Sequence, residues 1–164
     1  MPRTYEPIAS TTLGSSSASV DFTSIAATWT DLRVILFGTA SSSCQVNITV
    51  NGDTGSNYSW TLLSGNGTSA ESARLSGRAQ IRPDYYNSIG SSSPGLVIFD
   101  IMSYANTNVF KTFLLGSALA GAAVHRTVGL WRSTSAITSV KCEADGGPTF
   151  SSGFTASLYG IKAA

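Results

Sequence analysis

Apolar and polar positions alternate with a period of two along most of this chain, and clusters of Gly, Ser, Asn and Pro interrupt the alternation at regular intervals. Successive side chains of a β-strand point to opposite faces, so the pattern predicts half-buried strands rather than helices. Cys44, Val46, Ile48 and Val50 alternate with Gln45, Asn47 and Thr49, giving one apolar and one wet face. Residues 51–57, Asn-Gly-Asp-Thr-Gly-Ser-Asn, follow as a loop, because Gly and Asn tolerate positive φ. Tyr58, Trp60 and Leu62 then share a face of a second strand ending at residues 64–67, and the two strands read as a hairpin. Residues 32–37 and 96–102 are apolar on both faces, as expected for strands near the centre of a sandwich. Residues 4–13, 19–22, 110–115, 124–131, 136–142 and 154–161 complete the set of strand candidates.

Such spacing predicts an all-β domain, a single antiparallel, jelly-roll-like β-sandwich of about 8–10 strands. It spans residues 1–164, with residues 1–8 as a candidate N-terminal arm. Residues 69–80 hold the one helical hint, Glu71, Arg74 and Arg78 at i, i+3 and i+7. Ser72, Ser76 and Gly77 oppose it, so the segment reads as a loop with at most one helical turn. Residues 115–124, rich in Gly and Ala, read as a small-residue loop between strands, and alternatively as a subunit contact.

Charge is sparse. Charged residues make up 12% of the chain, about half the usual share, and the net charge is +1. The exterior is therefore left to hydroxyl, amide and glycine, and no long-range field draws the chain to nucleic acid or anionic lipid. No apolar run approaches the ~20 residues needed to cross a bilayer. Nor does the beginning of the sequence resemble a secretory leader, which points to assembly in a cytoplasm. Cys44 and Cys142 fit no metal motif and read as small buried hydrophobes, with a disulfide as the alternative.

The search for chemistry returns little, and no enzyme activity and no cofactor are expected. His125 is the lone histidine and falls inside a strand, with no Gly-x-Ser-x-Gly elbow to partner it. One His and two distant Cys make no standard zinc ligand set. Asn51, Asp53, Gly55 and Asn57 place oxygens at alternate positions, loosely like a calcium loop, but the bidentate acid that closes such loops is missing. Arg74, Arg78 and Arg82 form the nearest approach to a basic stripe, a solvated loop or a docking segment for acidic groups. Trp29, Trp60 and Trp131 read as core, and alternatively, with Tyr58, Tyr85, Tyr86 and Tyr104, as a sugar-stacking platform if several were exposed. Tyr85 and Tyr86 sit in a loop and are better candidates for a contact surface.

Four stretches, Thr-Tyr-Glu-Pro-Ile-Ala at 4–9, Asn-Gly-Asp-Thr-Gly-Ser-Asn-Tyr at 51–58, Gly-Leu-Trp-Arg-Ser at 129–133 and Leu-Tyr-Gly-Ile-Lys-Ala at 158–163, resemble a group of tailed-bacteriophage virion proteins. The resemblance spans essentially the whole chain and brings no catalytic residue with it. It implies a virion location and a capsid decoration or cement protein, a trimer that bridges capsomers on the outer surface. The alternative it leaves open is a tail-fibre, baseplate or other tail module that recognises a host-surface glycan. Expected partners are the major capsid protein or other virion proteins, with no nucleic acid and no membrane. Arg3, Tyr5, Arg74, Arg78, Arg82, Tyr85 and Tyr86 are the expected partner-binding residues.

Overall fold

The computed structural model describes residues 5–162. Eleven strands account for the regular structure: β1 (Tyr5–Thr12), β2 (Ser19–Phe22), β3 (Asp31–Gly38), β4 (Val46–Val50), β5 (Tyr58–Gly65), β6 (Ala70–Arg78), β7 (Gly95–Met102), β8 (Lys111–Leu119), β9 (Ala123–Trp131), β10 (Val140–Ala144) and β11 (Thr155–Ile161). No helix occurs among the described residues. Eight strands form one sheet in the order β1-β11-β3-β7-β8-β9-β5-β6, and β2-β10-β4 form a second. Every pairing is antiparallel. The protein is an all-β, jelly-roll-like sandwich.

Alternation in the sequence becomes alternation in burial. Leu32, Val34 and Leu36 of β3, Val97, Phe99 and Ile101 of β7, and Phe113 and Leu115 of β8 point inward and are fully or almost fully buried. They meet Val46, Ile48 and Val50 of β4 and Val140 and Cys142 of β10 across the sandwich. Each large aliphatic or aromatic side chain buried in this way contributes about 1.5–3 kcal/mol. Both cysteines are buried and free, so they act as core residues.

Three expectations need correction. Residues 69–80 contain β6, not a loop: residues 70–75 pair with β5 around the turn at 66–69, where Asn66 Oδ1 accepts the N–H groups of Thr68 and Ser69. As an edge strand β6 half-buries only Ala73 and Leu75, so it lacks the strong alternation that would announce it. β4 and β5 are not a hairpin, because they lie in different sheets. The Tyr58 hydroxyl donates to Asp53 O and Val50 O and accepts from Val50 N, turning the chain across the sandwich instead of back along the same sheet. Residues 115–119 continue β8, leaving only residues 120–122 as the turn, with Gly121 at φ +76°. Of the expected arm at 1–8, residues 5–8 belong to β1 and pair with β11, while residues 1–4 lie outside the described residues.

Candidate functional site

The outward face of the large sheet carries a group of exposed aliphatic side chains. Asp100, Leu114, Val128 and Thr61 lie side by side on β7, β8, β9 and β5. The next row runs Ile98, Gly116, Arg126 and Leu63, and a third runs Leu96, Ala118, Val124 and Gly65. On β3 the same rows continue with Arg33, Ile35 and Phe37. Leu63, Val124 and Val128 are 64%, 61% and 54% exposed, values far from a core position. A groove of about 620 Å³ crosses this face between Arg33, Leu96, Ile98, Leu114, Val124 and Arg126.

Two features shape the groove. Gly116 contributes no side chain, and the Arg126 guanidinium lies over it; an added Cβ would come within 2.7 Å of Arg126 Nη1. At one wall Arg33 forms a bidentate pair with Asp100, Nε to Oδ1 at 2.6 Å and Nη2 to Oδ2 at 2.8 Å. That pair neutralises Asp100 and holds Arg33 firmly in its charged form. Arg126 has no ion pair or side-chain hydrogen bond among the described residues, so its charge faces solvent across an aliphatic floor. No aromatic side chain projects from the outward positions of β5, β7, β8 or β9. Aromatics gather at the far edge, where Tyr5 stacks on Tyr159 at 4.6 Å and Arg33 sits 6.0 Å from the Tyr5 ring.

The expected site residues are scattered by the fold. Arg3 lies outside the described residues. Tyr5 is 42% exposed at the β1 edge of the large sheet. Arg74 and Arg78 are exposed on β6, at the opposite edge. Arg82 is withdrawn from any stripe: its guanidinium donates to Asn47 Oδ1 at 2.8 Å and Gln45 Oε1 at 2.6 Å and pairs with Asp145 at 2.9 Å. Tyr85 is exposed, with Tyr86 edge-on to it, and the Tyr86 hydroxyl donates to Glu71. That hydrogen bond to a carboxylate raises the Tyr86 phenol above its ordinary pKa.

The remaining candidates for chemistry resolve into structural roles. Asp53 accepts from Trp131 Nε1 at 2.6 Å, Asn57 Nδ2 at 2.9 Å and Gly55 N at 2.8 Å, so the calcium-like loop spends its acid on internal donors. His125 is buried and shares a 3.1 Å hydrogen bond with Ser117, and burial lowers its pKa, keeping the ring neutral. Among the described residues no three His, Cys, Asp or Glu side chains cluster as metal ligands.

Arg33, Asp100, Arg126 and the aliphatic rows are not among the residues expected from the sequence, although the sequence carries a signal for them. Residues 32–37 and 96–102 are apolar on both faces, which suits double burial, yet only their inner faces are buried. An outward aliphatic row on a strand that no second layer covers marks a contact surface.

No protein-family model matches the chain, and no curated protein is similar to it in sequence. Among solved structures, a galectin from Caenorhabditis elegans superposes with a TM-score of 0.40 at 10% identity, covering 91% of this chain and 94% of that one. A tetrameric galectin from the sponge Cinachyrella gives 0.39 at 11% identity, with 88% and 99% covered. An alginate lyase gives 0.36 at 11% identity, with 93% and 77% covered. The likeness is one of all-β architecture alone.

Proposed function

We propose that this chain is a bacteriophage virion structural protein of the capsid-decoration type, which docks through the outward face of its large sheet and stabilises neighbouring capsomers as a trimer. The observation behind the reading is the aliphatic face of β7, β8, β9 and β5. Seven of the twelve outward positions in its three rows are Leu, Ile, Val or Ala, and contiguous exposed apolar surface on a soluble protein signals a partner. Sugar rings are held by aromatic faces and dense hydrogen bonding, and this surface offers aliphatic carbon with few polar groups, which suits a protein partner better. A modest contact suffices, since many copies in one array act together. The four virion-like sequence stretches support the same reading.

Electron cryo-microscopy of virions whose genome encodes the chain tests it. Density for the sandwich on the outer capsid, with the β7–β9 face turned toward capsid protein, is the expected result. Absence from the capsid would overturn the proposal.

A second reading, a tail module that recognises a host-surface glycan, is favoured by one observation. The Tyr5–Tyr159 stack sits beside the Arg33–Asp100 pair at the sheet edge, an aromatic surface with a donor and an acceptor adjoining it. Density at the tail, together with glycan-array binding lost in Tyr159→Ala, is the outcome expected of that reading.

A further inference from the structure

Residues 79–94 leave β6 and return to β7 without forming a strand, yet they tie the two sheets together. Ile81 exchanges both backbone hydrogen bonds with Ile48 of β4, at 2.9 and 3.0 Å. Thr127 of β9 donates to Pro83 O at 2.8 Å, so the same few residues also grip the large sheet. Further on, Cys44 N donates to Ile89 O, and Cys44 O accepts from the N–H groups of Ser88 and Ile89. Gly95 lets this strap lie flat on the sheet, since an added Cβ there would fall 1.8 Å from Ser88 O.

Asp84 stands at the middle of the strap. Its side chain is fully buried, and neither carboxyl oxygen has a hydrogen-bond partner of ordinary geometry. The Ser88 hydroxyl, also buried, lies beside it, and this hydroxyl and the Asp84 backbone N–H oppose the effect of burial only weakly. The charged and titratable groups around it are Arg82 on the strap, Asp145 after β10 and the Cys44 thiol before β4. Arg82 offsets an Asp84 carboxylate only in part, because its guanidinium is committed to Asp145, Asn47 and Gln45. His125 of β9 faces Tyr86 rather than Asp84 and is itself neutral.

We propose that Asp84 is a pH-gated latch: protonated, it lets the strap close over both sheets, and ionised, it releases the strap and uncovers Cys44. An unpaired carboxylate in an apolar site is costly, whereas a protonated carboxyl is tolerated there and can donate to a neighbour. Burial accordingly pushes the Asp84 carboxyl up to about 8. With the strap open, Asp84 titrates near the ordinary ~3.9. The folded pKa lies above the unfolded one, so closure is fully favoured below the lower value and weakens as pH rises toward the upper. Across that window each pH unit multiplies the ratio of open to closed strap about tenfold, and above it the ratio levels off.

Hydrogen exchange of the Ser88 and Ile89 amides, corrected for the intrinsic pH dependence of exchange, reads the latch directly. Between pH 6 and pH 8 the wild-type protection factors should fall well over tenfold, while the Cys142 amide in the small sheet keeps its own. In Asp84→Asn the strap protection should stay level over the same range. A level wild-type profile, or an Asp84→Asn profile that follows the wild type, would overturn the latch. So would a decline abolished by millimolar calcium chloride, which would make the site one for a cation instead of a proton. If Asp84→Asn does not fold, infrared spectroscopy of the wild type decides: a protonated-carboxyl carbonyl band at pH 6 that is gone by pH 9 supports the latch, and its absence at pH 6 refutes it.

Discussion

Single polar residues hold the loops of this sandwich in place. Asp53 draws together Trp131, Asn57 and Gly55, and the indole hydrogen bond is the main reason its carboxyl titrates below the ordinary range. The sign follows from linkage: a carboxylate with a depressed folded pKa contributes stability above its unfolded value near ~3.9 and loses it as pH falls below. Acid titration should therefore shift the Trp131 emission below about pH 4, and Asp53→Asn should remove the shift. Lys111 plays the opposite role, a cation wholly buried at the start of β8. Its Nζ donates to Asn106 O at 2.5 Å, Val109 O at 2.7 Å and Thr134 O at 3.2 Å, while burial lowers its pKa. Lys111→Met keeps most of the volume but orphans three carbonyls, so urea unfolding should report a loss on the order of 1–3 kcal/mol.

At the scale of elements, close approach decides what a strand tolerates. Gly160 of β11 lies under the Trp29 ring, and an added Cβ would come within 2.3 Å of it. Gly160→Ala must displace that ring and should cost about 1–3 kcal/mol, measured as a lower melting temperature with altered tryptophan fluorescence. Most strands could be read from the chain because their inner positions are large and apolar. β2 matches its expected span, and β3, β7, β9 and β11 begin and end within a residue of theirs. β6 could not be read that way, since an edge strand of Ala, Ser and Arg has little apolar face to show. Sheet membership was equally hidden. Nothing in the local pattern of residues 44–62 distinguishes a hairpin from a crossing between sheets; the Tyr58 hydroxyl network that decides it depends on the folded chain. The docking face was legible only as apolarity in excess of what a one-sided strand needs, while Arg126 and the Arg33–Asp100 pair came together through register.

For the whole molecule, the bare outward face is the property that matters most. Leu63→Asp and Val124→Asp place charge at the two most exposed aliphatic positions of this face, beside the Arg126 cation, and should leave the melting temperature nearly unchanged, within about 0.5 kcal/mol of stability. On the proposed reading the same changes should strip the protein from purified virions, and full occupancy of the doubly substituted protein would count against it. Arg126→Glu reverses the one unpaired charge on the groove floor and gives a milder version of the same test.

The pairing of Tyr5 with Ile161 has a consequence for synthesis. β11 is threaded between β1 and β3, so β1 has no partner in the sheet until β11 has been made. Nascent chains must wait with the middle strands assembled and one flank open, a slow and aggregation-exposed stage for a sheet closed by its most distant segments. Stalled chains ending before residue 155 should stay protease-sensitive, and addition of the β11 segment should close the sheet in a single late step.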